Sequence, residues 1–133
     1  MTSFTTMRHP ENRTAGAPDG SDVRVLLGLA GGGMAEFELA AGQVSKAVTH
    51  RTVEEIWYVL RGRGEMWRRQ GAREEIVALE AGTCLTVPLG THFQFRALRE
   101  EALTVLGITM PPWPGADEAI VVSGPWTPTV PRA

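Results

Sequence analysis

Apolar and polar residues alternate with a period of two along much of this chain. In residues 34–39 the apolar side chains, Phe37 and Leu39, fall on one face and glutamates on the other, which is the pattern of a half-buried β-strand. Residues 54–60 combine β-branched and aromatic side chains with no helix breaker, and they also predict a strand.

Short segments of this kind recur between glycine and proline turns. The predicted strands are residues 23–29, 34–39, 54–60, 65–69, 73–79, 83–87, 91–97 and 102–109. Between two of them, Gly62 and Gly64 supply the backbone freedom that a hairpin requires. Short strands at this spacing, with no helical period, predict an all-β barrel or jelly roll.

The two ends of the chain differ from the middle. Residues 1–20 are polar and contain prolines and glycines, so we expect a flexible N-terminal arm, followed by a barrel over residues 21–110. Residues 111–133 are rich in proline, which donates no N–H to a sheet. We expect an extended C-terminal arm that packs Trp113 and Trp126 on the barrel or on a partner subunit.

A histidine and a glutamate stand before the predicted hairpin turn, and a glycine lies in the turn itself. Glu55 is followed by six residues and Gly62, and His50 stands four residues before Glu55. This segment resembles the first conserved motif of the cupin superfamily, in which a further histidine stands two residues before the position of His50. Here that position is Val48, so one usual metal ligand is missing.

A second segment resembles the second cupin motif. Gly82 is followed by five residues, then Pro88-Leu89-Gly90, two residues, and Phe93 where cupins carry a histidine. His92 lies one residue earlier, and a one-residue offset in a strand points a side chain to the opposite face. Only a bulge would turn His92 inward. The resemblance implies a double-stranded β-helix, the cupin jelly-roll barrel.

The resemblance also implies a site inside the barrel, at the ends of the two motif strands. We expect His50 and Glu55 to act there as acid and base, because burial raises the pKa of a carboxyl while pairing keeps the histidine charged. Such a pair suits an isomerase, a dehydratase or another lyase, or a cyclase, as in sugar-phosphate isomerase-like and polyketide cyclase-like cupins. The side chains predicted to contact the ligand are Lys46, Val48, Trp57, Phe93 and Phe95.

Two alternatives stay open at this point. The protein could bind a small molecule between its aromatic side chains without turning it over. It could also hold one divalent ion, with His50, Glu55 and an inward-turned His92 as ligands and Gln94 as a weak substitute, since a catalytic ion normally takes three protein ligands. The sequence does not distinguish Zn, Fe, Mn or Ni, nor whether any cofactor is bound.

Composition narrows the partners. A net charge of -2 over 133 residues gives no electrostatic case for nucleic acid or an anionic membrane as a partner.

Cys84 is the single cysteine, which excludes an internal disulfide, and we expect it to be buried on its apolar strand. No secretory signal or long apolar run is present, so we expect a soluble cytoplasmic protein. Residues 56–60 are apolar on both faces, and with the cupin resemblance they predict a homodimer.

Overall fold

Two antiparallel sheets face each other in the computed structural model, which describes residues 1–130. The strands are β1 Ala15–Gly16, β2 Asp22–Leu29, β3 Gly32–Leu39, β4 Val48–His50, β5 Glu54–Arg61, β6 Gly64–Gln70, β7 Arg73–Leu79, β8 Cys84–Val87, β9 His92–Ala97, β10 Leu103–Met110 and β11 Ala119–Val121. A single 3-10 turn, Ala116–Glu118, precedes β11, and residues 1–130 contain no α-helix. Within this range, no helical segment is long or apolar enough to cross a membrane.

The strand orders are those of a jelly roll with the core between its sheets. One sheet has the order β1-β2-β3-β10-β5-β8 and the other β11-β4-β9-β6-β7. Along β5 the side chains alternate, with Glu55, Trp57 and Val59 buried and Ile56 and Tyr58 exposed. The predicted all-β jelly roll is therefore confirmed, and all eight predicted strands are present with small differences at their ends.

The core is formed by inward-facing side chains of both sheets. Trp57, Phe95 and Met66 are almost completely buried there, and the rings of Trp57 and Phe95 meet edge to face with centroids 4.9 Å apart. Each large apolar side chain buried in this way contributes roughly 1.5–3 kcal/mol relative to an exposed one. This packing joins β5 of one sheet to β9 of the other and fixes the position of the adjoining cavity.

The hairpin predicted at Gly62 is present between β5 and β6. Gly62 has a φ of +86°, and a Cβ atom at this position would lie 2.1 Å from the carbonyl oxygen of Ala102. Both the left-handed backbone and the close approach require glycine. The turn therefore fixes the register in which Glu55 and Trp57 reach the interior.

Part of the N-terminal segment packs against the outer face of β2 and β3. His9 Nε2 lies 2.6 Å from Glu36 Oε2, and the Arg24 guanidinium donates hydrogen bonds to the carbonyl oxygens of Pro10 and Glu11. Glu36 stands on the polar face of β3, as alternation predicts, but it is buried there. The contact with His9 explains how a carboxylate is accommodated under the segment.

The described part of the C-terminal segment packs on the barrel of its own chain. Strand β11 pairs with β4 at the edge of the second sheet. Gln94 Nε2 donates to the carbonyl oxygen of Trp126 at 2.9 Å, and the Trp126 amide donates to Gln94 Oε1 at 3.2 Å. The Arg96 guanidinium lies 4.1 Å from the centroid of the Trp126 ring. The last three residues of the predicted arm, 131–133, lie outside the described residues.

The expectation that Cys84 is buried is wrong. Its thiol is free and the residue is exposed. Cys84 opens β8, in which Leu85 and Val87 point inward. The alternation of the strand therefore puts the cysteine on the outer face, beside Tyr58 of β5.

Candidate functional site

A cavity of about 360 Å³ extends from the core at one end of the barrel. Strands β2, β3, β4 and β5 contribute to its wall, and so do residues of both terminal segments. Most of the wall is apolar. The side chains with polar groups among the lining residues are Asp19, His50, Glu55, Trp57, Thr109 and Trp113. An apolar cavity with a few convergent polar groups is the usual form of a small-molecule site.

His50 and Glu55 lie together in this cavity. His50 ends β4 and Glu55 is the second residue of β5, so a three-residue connection joins a strand of one sheet to a strand of the other. His50 Nδ1 lies 3.9 Å from Glu55 Oε1, and the two side chains are 6% and 4% exposed. This distance is too long for a hydrogen bond, and Nδ1 has no hydrogen-bond partner in residues 1–130. A ligand atom about 2.8 Å from each group can contact both.

Aromatic side chains hold the pair in place. The Trp57 indole N–H donates a hydrogen bond to Glu55 Oε2. The His50 ring meets the rings of Phe93 and Trp113 at steep angles, with centroids 5.3 Å and 5.1 Å away. Trp113 belongs to the C-terminal segment, so that segment supplies one side of the site.

Burial moves the two pKa values in opposite directions. It raises the pKa of Glu55 to about 7, the hydrogen bond from Trp57 opposes this rise, and the charge of Asp19 adds to it. Burial lowers the pKa of His50 from its ordinary value of 6.5, against the effect of the Glu118 charge and the Val53 backbone. Near neutral pH, Glu55 can therefore keep a proton while His50 is uncharged. The direction of the His50 pKa shift is opposite to the one expected from pairing with Glu55, because burial is the largest effect on it.

Three of the five predicted ligand-contacting residues line the cavity: Val48, Trp57 and Phe93. Phe95 does not, because it packs behind Trp57 in the core. Lys46 does not line it either. Strand β4 begins only at Val48, so the period of two does not extend back to Lys46, whose backbone N–H donates to the carbonyl oxygen of Asp19.

Sequence reasoning missed Asp19, a buried residue of the cavity wall. Asp19 Oδ1 accepts hydrogen bonds from the Ser21 amide and hydroxyl at 3.0 Å and 2.8 Å. Burial raises the pKa of Asp19, while the bonds from Ser21 and the charge of Lys46 oppose the rise. The Asp-Gly-Ser sequence indicates a turn, but nothing in it indicates a position next to Glu55.

Glu118 is a second residue that the sequence did not indicate. Its carboxylate accepts hydrogen bonds from the Thr52 amide at 2.7 Å and from the Thr52 hydroxyl, and its carbonyl oxygen accepts one from the Arg51 amide. Burial would raise the pKa of Glu118, but these bonds outweigh it and lower the pKa. Glu118 thereby fixes the connection between His50 and Glu55 across 66 residues of sequence.

Known proteins give a consistent picture of the fold. The family model described as Cupin domain matches residues 35–109, more than half of the chain. The chain belongs to the cupin family. No curated protein matches the sequence. Among solved structures, a cupin protein from Bacteroides fragilis is 23% identical, with a TM-score of 0.64 over 84% of this chain and 86% of its own.

Two further solved structures are similar to this cupin, and one of them is named as an enzyme. Pac13 of Streptomyces, a nucleoside dehydratase, is 16% identical, with a TM-score of 0.67 over 89% of this cupin and 92% of Pac13. KdgF from Halomonas sp. is 22% identical, with a TM-score of 0.61 over 69% of this cupin and 81% of KdgF. At these identities the likeness shows the fold alone.

Within residues 1–130, the side chains named as possible ligands of a divalent ion are not brought together. His92 stands on the outer face of β9, where its Nδ1 lies 3.5 Å from an Arg69 nitrogen, and the β6–β9 register has no bulge that would turn it inward. Gln94 is bound to the C-terminal segment on the same outer face. The set His50, Glu55 and His92 is therefore not brought together, and no three His, Cys, Asp or Glu residues within 1–130 form a metal-binding group.

Proposed function

We propose that this cupin binds a small organic molecule in the cavity and catalyses proton transfer on it, with Glu55 as the acid and His50 as the base. The observation that carries the proposal is the pair itself: two titratable side chains 3.9 Å apart, in one apolar cavity, with pKa values moved in opposite directions. Groups separated in this way are suited to opposite roles in one reaction.

Elimination of water from a hydroxy compound is the reaction that fits this pair best. Neutral His50 takes a proton from an activated carbon, and the electrons of that C–H bond form the double bond. The bond from the neighbouring carbon to the hydroxyl breaks, and the Glu55 proton completes the departing water. The proton on His50 then returns to Glu55 across the short gap between them. The similarity to Pac13, a nucleoside dehydratase, adds support for this class over isomerisation or cyclisation.

The shape of the cavity favours a compact ring compound. Its volume of about 360 Å³ falls in the range of small-molecule sites. Trp57, Phe93 and Trp113 present aromatic surface around His50. Because aromatic rings pack well against planar or cyclic ligands, a ring bearing the reactive hydroxyl would be held against the acid–base pair.

The experiment is a turnover screen in D₂O. Proton NMR follows hydroxy compounds for loss of water or solvent deuterium incorporation, with the wild type, His50→Ala and Glu55→Gln. We expect each substitution to reduce turnover about 10²-fold or more. Glu54→Gln and His92→Ala are the matched controls, because Glu54 is exposed and His92 lies outside the cavity. Unchanged turnover in His50→Ala or Glu55→Gln would reject the assignment.

Ligand binding without catalysis is the second candidate, and the largely apolar wall favours it. In this case a compound would bind tightly, no product would form, and Glu55→Gln would bind it as well as the wild type. Calorimetric titration beside the turnover screen separates the two candidates.

We also propose a cytoplasmic location. The exposed free thiol of Cys84 favours a reducing compartment, where such a group stays unpaired. Fractionation of the native host followed by immunodetection tests this, and recovery in an extracytoplasmic fraction would contradict it.

A further inference from the structure

A second carboxyl faces the ligand space beside the acid–base pair. Asp19 is 8% exposed and belongs to the cavity wall. Ser21 donates both of its hydrogen bonds to Oδ1, and no hydrogen bond from another residue in 1–130 reaches Oδ2. A carboxyl oxygen of a largely buried residue that accepts no such bond can accept one from a donor group of a ligand.

The cavity offers no positive side chain to balance its carboxyls. Within residues 1–130, no lysine or arginine lines it, although the chain has 13 of them. Lys46 acts electrostatically on Asp19 but stands outside the wall. An ionised Asp19 in this largely apolar space repels an anionic group more strongly than it would in water.

We propose that Asp19 selects the ligand of this cavity: it binds a hydroxyl or ammonium group of a compact ring compound and disfavours phosphorylated and carboxylated molecules. The inference rests on the proposed function and specifies its substrate class. The proposal argues against sugar phosphates as ligands, although the resemblance to sugar-phosphate isomerase-like cupins would suggest them. Discrimination of this kind arises as much from repulsion of the wrong ligand as from attraction of the right one.

Three probes of one shape test the charge preference directly: 2-phenylethanol, 2-phenylethylamine, which is cationic at neutral pH, and phenylacetate, which is anionic. Each is titrated into the full chain at pH 7, and the indole N–H signals of Trp57 and Trp113 are followed by ¹H–¹⁵N NMR. Both indoles belong to the cavity wall. We expect the alcohol and the amine to bind at least tenfold more tightly than phenylacetate.

Asp19→Asn removes the charge while keeping an oxygen for the Ser21 bonds. We expect it to weaken binding of the amine about tenfold and to reduce the difference in affinity between the amine and phenylacetate. Asp22→Asn is the matched control, because Asp22 makes the same change in charge, is half-exposed and pairs with Arg13 outside the cavity. It should leave all three affinities unchanged. Ser21→Ala removes the hydroxyl bond to Asp19 but keeps the amide bond and the charge. It should still disfavour phenylacetate, and it replaces Asp19→Asn if that variant does not fold.

Several results would overturn the inference. Phenylacetate binding as tightly as the amine would do so, as would an unchanged preference in Asp19→Asn or tight phenylacetate binding by Ser21→Ala. Failure of all three probes to shift the indole signals would reject donor-bearing ring compounds as the class. Since these are binding measurements, they leave the roles of His50 and Glu55 to be judged separately from turnover.

Discussion

The carboxyl of Glu55 is held in surroundings that disfavour its charge. Its pKa is about 7, against an ordinary value of 4.5. Below pH 4.5 the folded and unfolded states are both protonated at this residue. As the pH rises from there to about 7, the unfolded chain loses the proton first, so the stability of the fold falls. Each unit of difference between the unfolded and folded pKa values costs about 1.4 kcal/mol, so ionisation of Glu55 lowers the free energy of unfolding by about 3 kcal/mol in total.

Glu55→Gln should therefore stabilise the protein at high pH. At pH 8 we expect the free energy of unfolding to rise by up to about 3 kcal/mol, because the amide is uncharged and its oxygen can still accept the Trp57 hydrogen bond. At pH 4.5 the effect should be small. Urea denaturation at both pH values measures it, with Glu54→Gln as the control. An equal change in the free energy of unfolding at both pH values would show that the surroundings of Glu55 do not disfavour its charged form.

The pH dependence of turnover follows from the same two groups. The base requires neutral His50, so kcat/KM should rise with pH through a pKa below 6.5. The acid requires protonated Glu55, so kcat/KM should fall through a pKa of about 7. The profile should be a narrow bell. In Glu55→Gln, the falling limb should be absent from the residual rate, and a retained falling limb would assign it to another group.

Site residues within the two motifs could be predicted, while those from distant segments could not. Alternation from Glu55 placed Trp57 in the wall, and the ungapped second motif placed Phe93 inward and His92 outward. Asp19 and Glu118 come from the terminal segments. Their positions depend on how those segments pack, and no local period carries that information.

At the scale of elements, both terminal segments help to form the site. The C-terminal segment brings Trp113 against His50, and Glu118 binds the connection between β4 and β5. Gln94, fully buried on the outer face of β9, joins this segment to the second sheet through two hydrogen bonds with the Trp126 backbone. The geometry of the cavity therefore depends on contacts made on the opposite side of that sheet.

Gln94→Ala tests this dependence. It removes the bonds to Trp126 and to the carbonyl oxygen of Ser45, and leaves their partners without a donor or acceptor. We expect a loss of about 2–3 kcal/mol in the free energy of unfolding and weaker ligand binding. Gln70→Ala, an exposed glutamine bonded to Thr91, should change little. Equal effects of the two substitutions in urea denaturation would contradict the role given to Gln94.

The elements themselves were predictable to different degrees. Long segments with clear alternation, such as β3 and β5, were found with nearly correct ends. Strands β1 and β11 have two and three residues, too few to show a period, and they exist because neighbouring strands offer them an edge to pair with. No local sequence pattern predicts that Glu36 is buried under the N-terminal segment either.

At the scale of the whole molecule, the outer face of the first sheet bears on the predicted homodimer. Ile108 is paired with Met34 on one side and Ile56 on the other, and each of the three is more than a third exposed. Tyr58 extends this apolar surface along β5. An exposed apolar surface of this kind is well suited to pack against a second copy of the chain.

Ile56→Glu should convert a homodimer to a monomer without unfolding it, because the new charge lies on the outer face and leaves the core intact. Sedimentation equilibrium measures the mass, and Glu54→Gln is the control on the same strand. A monomeric wild type at tens of micromolar would contradict the homodimer.

The most direct test of the acid–base assignment is an NMR titration of the two groups in the intact protein, following the imidazole nitrogens of His50 and the side-chain carboxyl carbon of Glu55 from pH 4 to pH 9. The chain has three histidines, so His50→Ala assigns its signal. We predict that His50 titrates below 6.5 and Glu55 at about 7. A histidine that stays charged above pH 7 beside a carboxyl that titrates near 4.5 would contradict the assignment.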